Sequence, residues 1–238
     1  MDLRLKDRAV VVTGGASGIG AACADAFRKE GARVAIVDRA PGSDRHADIT
    51  DEDQVRAALD GIAADLGGID VVVCCAGISG PVGTLAPDVS VADWDAVMAV
   101  NVKGAFLTVK HAVPHLRGAA DAAVVLLASD SSMLASEGMA PYCASKGALL
   151  MLGKALATDL TPHGIRVNCV CPSVVDTPMS RTDMGRADGF SGVGYPVQTS
   201  SEVARLVLFL ASPASRPVNG THLLSDFAMS AKSAFPMD

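Results

Sequence analysis

Tyr142 and Lys146 stand four residues apart in the run Tyr142-Cys143-Ala144-Ser145-Lys146. On a helix, positions i and i+4 share a face, so the phenol and the ammonium point the same way. A phenol has a reference pKa near ~10 and is a poor base at neutral pH. A nearby ammonium favours phenolate and lowers that value, which makes Tyr142 a credible general acid and base for an alcohol–ketone pair. Ser129 ends a strand-like run 13 residues upstream, where its hydroxyl can hold a substrate oxygen beside Tyr142. Asn101 is a polar residue inside the apolar stretch Val100-Asn101-Val102. Buried there, it can bend a helix and hold a water for proton relay. Each residue alone has a plain alternative: a surface pair, a strand end, a satisfied carbonyl. In this order behind a nucleotide-type turn they point to proton transfer.

That turn is Thr13-Gly14-Gly15-Ala16-Ser17-Gly18-Ile19-Gly20. Glycines let the backbone turn tightly and approach a pyrophosphate, and a helix starting at Gly18–Ile19 offers N–H donors and a positive dipole end. Asp38 closes the next apolar run, 18 residues beyond Gly20. A carboxylate there can accept from the ribose hydroxyls of a dinucleotide and repels a 2′-phosphate. This favours NAD over NADP, and Ser17 supplies no cation to reverse the preference.

The elements needed to position these residues are legible. Apolar runs at 9–13, 33–38, 71–75, 123–129, 165–171 and 221–225 read as strands. Helical stretches lie at 19–30, 91–116 (broken near Pro114), 142–160 and 201–211. Strands alternating with helices predict an α/β fold. We expect a single Rossmann-type doubly wound parallel sheet with helices on both faces, one domain spanning residues 1–238. Only nine residues, Arg39 to Ala47, separate the second strand from Asp48-Ile49-Thr50, so a crossover helix is missing there. Residues 180–199, rich in glycine and proline, read as a loop over the substrate.

Composition agrees. Half of the 238 residues are hydrophobic and 19% are charged, too apolar for a disordered chain. The net charge of −6 argues against nucleic acid and against an anionic membrane surface as partners. No apolar run approaches bilayer length and no signal-like segment follows Met1, so a cytoplasmic location is expected. The six cysteines show no metal or disulfide spacing, and no metal site is expected. Apolar residues on several faces of the 142–160 helix suggest a homo-oligomer.

These residues resemble the short-chain dehydrogenase/reductase family, from Leu5 to about Asp226. The resemblance rests on Thr13–Gly20, Asp38, Asp48-Ile49, Ala76-Gly77, Asn101, Ser129, Tyr142-x-x-x-Lys146, Pro172 and Thr177-Pro178-Met179. It implies hydride transfer between a nicotinamide and a carbinol carbon of a small-molecule substrate, with Asn101, Ser129, Tyr142 and Lys146 as the catalytic set. Implied cofactor contacts are Gly14, Ser17, Gly18, Ile19, Asp38, Asp48, Ile49, Ala76, Gly77, Asn101, Tyr142, Lys146, Pro172, Val175 and Thr177. It also implies a homotetramer. The chain departs from the family at Cys74-Cys75 (usually two asparagines), at Ser173 and at Phe227-Ala228 (usually glycines). The shortened connection after the second strand, with Ala128-Ser129-Asp130, resembles a subgroup that oxidises cyclic dihydrodiols. An NADPH-dependent 3-oxoacyl or carbonyl reductase, or a non-catalytic dinucleotide sensor, are the alternatives. Ser131, Met133, Glu137, Met139, Met179, Met184, Phe190 and Tyr195 are expected around the substrate.

Overall fold

A computed structural model describes residues 2–232. Its centre is a seven-stranded sheet with every pairing parallel, in the order β3-β2-β1-β4-β5-β6-β9. The strands are β1 (Ala9–Thr13), β2 (Arg33–Asp38), β3 (Arg45–His46), β4 (Val71–Cys74), β5 (Ala123–Leu127), β6 (Arg166–Pro172) and β9 (His222–Ser225). A two-stranded ladder of β7 (Val175–Asp176) and β8 (Gln198–Thr199) stands apart.

Every residue of β1, β4, β5 and β6 is buried, because both faces of the sheet are covered. Alternate side chains serve opposite layers. Val11, Val72 and Val124 pack under α2 (Glu52–Leu66), α4 (Ala105–Leu116) and α5 (Ala140–Leu160). Val10, Val12, Val73 and Val125 pack with Phe27 of α1 (Gly18–Lys29) and Val207 of α7 (Ser200–Ala211). Phe27 is wholly buried, so Phe27→Ala should cost roughly 3–5 kcal/mol.

Three expectations are corrected. Residues 52–66, given no element above, form α2, capped by Asp51 and closed by Gly67 in the left-handed region. Its Val55, Ala58, Leu59, Ile62 and Ala63 are buried at helical spacing. Pro114 does not break its helix: it sits inside α4, which runs on through it to Leu116 although the proline removes one N–H donor. The break lies at Asn101 instead, where a π-helical turn (Ala99–Gly104) separates α3 (Val91–Met98) from α4. Finally, 180–183 of the expected loop belong to a short helix, α6 (Pro178–Asp183). Thr177 caps it in a reciprocal box with Ser180.

The connection between β2 and β3 carries no helix, as expected. Asp44 instead folds back, accepting from the Ile36 N–H at 2.8 Å.

Candidate active site

The carboxyl ends of the parallel strands open into one cleft of about 630 Å³. It lies at the switch point of the strand order, between β1 and β4, where open α/β sheets bind ligands. Its floor is the glycine turn. Gly14 (φ +67°) and Gly18 (φ +53°) hold backbone conformations that favour glycine. A Cβ on Gly14 would stand 2.6 Å from the Ala76 Cα, and one on Gly20 would stand 2.1 Å from the Gly14 carbonyl oxygen. The turn is therefore packed as well as bent. Ser17 caps α1 with extended backbone, yet its side chain makes no capping bond, and the first turn holds no acidic residue. The positive end of the helix is left to face the cleft.

At one end, Asp38 ties the turn to β2: its Oδ2 accepts from Ala16 N–H and its Oδ1 from Ala40 N–H, both at 3.0 Å. Each oxygen retains a lone pair for a further donor. Arg39 pairs with Asp48 at 3.7 Å. Asp48 also accepts from the Thr50 N–H and hydroxyl, and these bonds hold its carboxyl below the usual range.

At the other end, α5 brings Tyr142 and Lys146 together. The Lys146 ammonium donates to the Leu127 carbonyl at 2.7 Å, leaving two protons for other acceptors. Ser145, between them in sequence, donates to the Tyr142 carbonyl at 2.7 Å and accepts from Asn101 Nδ2 at 2.9 Å. Asn101 further clasps the Ile78 backbone, accepting from its N–H at 2.8 Å and donating to its carbonyl at 2.9 Å. One amide thus joins the π-helical turn, the segment after β4 and the start of α5. Ser129, 6% exposed, donates to Asp130 at 3.0 Å.

The electrostatics differ from the expectation. Burial outweighs any help from Lys146 and pushes the Tyr142 phenol up to about 12. The Ser129 hydroxyl eases it down, while Asp130 and Asp183 push it further up. Burial also lowers Lys146 to about 8. At neutral pH the phenol holds its proton, the state that can donate to a carbonyl oxygen.

Every residue expected at the cofactor lines the cleft except Asn101, which is buried behind the wall. It has three hydrogen bonds of its own and acts on the wall from behind. Ser129, Ser131, Ser173, Met139, Met179 and Met184 line the cleft, whereas Met133, Glu137, Phe190 and Tyr195 do not. Phe227 is 57% exposed and also lies outside it. Sequence reasoning missed Ser79, Ser136 and Asp183, all on the wall. The Thr177-Pro178 helix start was the signal that could have placed Asp183.

The cradle fits a dinucleotide: backbone packed too closely for side chains, an unopposed helix start and a carboxylate at the end of β2. A family model described as enoyl-(acyl carrier protein) reductase matches residues 14–230. D-threitol dehydrogenase of Mycolicibacterium smegmatis is 36% identical, over 94% of each chain. The ligand-free aldohexose dehydrogenase of Thermoplasma acidophilum superposes with a TM-score of 0.90 at 30% identity, covering 98% of each chain. A short-chain dehydrogenase from Burkholderia cenocepacia in complex with NADP gives 0.82 at 33% identity, covering 94% of this chain and 98% of that one. The glycine turn at the switch point of this sheet, with the family match and the dehydrogenase relatives, marks a dinucleotide-binding oxidoreductase. The chain belongs to the short-chain dehydrogenase/reductase family.

Proposed function

We propose that the protein is an NAD-dependent dehydrogenase interconverting a small secondary alcohol and its ketone. The observation that carries this is the convergence of Ser129, Tyr142 and Lys146 at one end of the cleft whose other end holds Asp38. An oxidised dinucleotide held there would supply the hydride acceptor and a positive charge beside the phenol. Tyr142 exchanges the proton with the carbinol oxygen. Ser129 orients that oxygen. Lys146 offers its remaining protons to the ribose next to the nicotinamide and supports the phenolate. Asn101 holds the wall in register through Ile78 and Ser145. Gly14, Ser17, Gly18 and Ile19 bind the pyrophosphate. Asp38 takes the adenosine ribose, with Asp48 and Ile49 beside the adenine. Ala76 and Gly77 present their backbone to the cofactor, and Pro172, Val175 and Thr177 approach the nicotinamide.

The names of the relatives, a threitol and an aldohexose dehydrogenase, favour alcohol oxidation. An NADP-linked carbonyl reductase is the second reading, favoured by Arg39 at the same turn. The position of Asp38, whose carboxylate repels a 2′-phosphate, weighs against it. The whole chain acts as one domain, in a cytoplasmic homotetramer. The test is absorbance of the reduced nicotinamide across a panel of secondary alcohols and ketones, with each cofactor. Turnover with NAD is expected; no turnover with either cofactor overturns the reading.

A further inference from the structure

Two carboxylates, Asp130 and Asp183, stand on the wall beside Tyr142. Among the described residues the basic side chains lining the cleft are Arg39, paired with Asp48 at the far end, and Lys146, bonded to the Leu127 carbonyl. The two protons that Lys146 keeps are spoken for by the ribose in the dehydrogenase reading, and the two carboxylates at this end repel an anionic substrate. A substrate group that donates protons suits it.

The state of Ser129 sharpens the argument. Its hydroxyl has one proton. The acceptors within reach are the Asp130 carboxylate at 3.0 Å, the Pro172 carbonyl at 3.5 Å and the neighbouring Tyr142 oxygen, while the Ser131 N–H already donates to Ser129. The shorter bond, to a charged acceptor, wins. The same Asp130 oxygen accepts only a long 3.4 Å bond from the Ser131 hydroxyl. To orient a reacting oxygen by donation, Ser129 must leave Asp130, and the carboxylate then needs another donor. A simple alcohol spends its only hydroxyl on Tyr142 and Ser129. An alcohol with a second hydroxyl on the adjacent carbon can give that proton to Asp130 and release Ser129.

Building on the dehydrogenase reading, we infer that Asp130 is a specificity-determining residue. It selects a neutral substrate with a hydroxyl next to the reacting carbinol, that hydroxyl replacing Ser129 as the donor to the Asp130 carboxylate.

The test compares kcat/KM for cis-1,2-cyclohexanediol, cyclohexanol and 2-hydroxycyclohexanecarboxylate, with wild type and Asp130→Ala. Wild type is expected to prefer the diol to the mono-alcohol by about 10- to 100-fold, the weight of one hydrogen bond to a charged group. It should reject the carboxylate. Asp130→Ala should bring the diol-to-alcohol ratio within about threefold of unity. Equal rates for diol and alcohol in wild type overturn the inference and leave the dehydrogenase reading standing, and this comparison needs no variant. A preference that survives Asp130→Ala overturns the assignment to Asp130. Oxidation of none of the three, nor of any alcohol in the wider panel, overturns both readings.

Discussion

Lys146 Nζ stands 5.5 Å from the centre of the Tyr142 ring while its proton is given to the Leu127 carbonyl. The ammonium is thus fixed beneath the phenol by β5, not left to wander on a long flexible stem. The strand that leads into Ser129 therefore also sets the position of the lysine.

Tyr142→Phe should fold and bind dinucleotide but lose turnover by ~10²–10⁴-fold, because only the acid–base hydroxyl is deleted. Steady-state rates together with cofactor titration by fluorescence check this. Wild-type turnover by the variant would refute the assignment.

Lys146 predicts a pH dependence of stability. Burial depresses it to about 8 in the folded chain against 10.5 unfolded. Its contribution is present above the unfolded value and is lost as pH falls through the folded one. Between pH 7 and 9.5, wild type should gain on the order of 2 kcal/mol relative to Lys146→Met. Urea unfolding of both proteins at the two pH values measures the difference. No relative gain, or a gain by the variant, contradicts the burial argument.

Asp38 should select the cofactor. Asp38→Ser removes both the ribose acceptor and the repulsion of a 2′-phosphate, so the NADP-to-NAD ratio of kcat/KM should rise about 10- to 100-fold. The exposed Arg39–Asp48 pair is too weak to hold Arg39 back once a phosphate is offered. An unchanged ratio would assign selection elsewhere.

Asn101→Ala leaves the Ile78 N–H and carbonyl without their partner and frees Ser145. The expected cost is about 2–4 kcal/mol in chemical denaturation. A loss below ~0.5 kcal/mol would mean that Asn101 does not hold the wall.

Trp94 of α3, Phe106 of α4 and Met151 of α5 are exposed at 40%, 42% and 62%. Such apolar side chains on neighbouring helices favour self-association. Light scattering should return four chain masses; a monomer at micromolar concentration would exclude it.

The alternation of strands and helices and the order Asn101, Ser129, Tyr142, Lys146 were legible because each depends on spacing along the chain. That Asn101 would be buried and bonded was legible too, since an amide inside an apolar helix must bond something. Pro114 misled because the proline removes one N–H donor without ending its helix, which runs on to Leu116. The Tyr142 shift and the role of Asp183 were hidden for a different reason. They depend on burial and on carboxylates that approach through space from separate segments, one of them disguised by glycines and prolines. The α2 pattern is present in Val55, Leu59 and Ile62, between Asp51 and Gly67.

Gly20 has the Gly14 oxygen 2.1 Å from where a side chain would begin, and Gly14 has the Ala76 backbone at 2.6 Å. Both exclusions are internal to the chain. Selection for folding alone therefore retains these two glycines, whether or not a nucleotide is ever bound. A descendant that drifted into a regulator would keep them, while the Tyr142 hydroxyl, which no clash protects, could vanish at little cost to the fold.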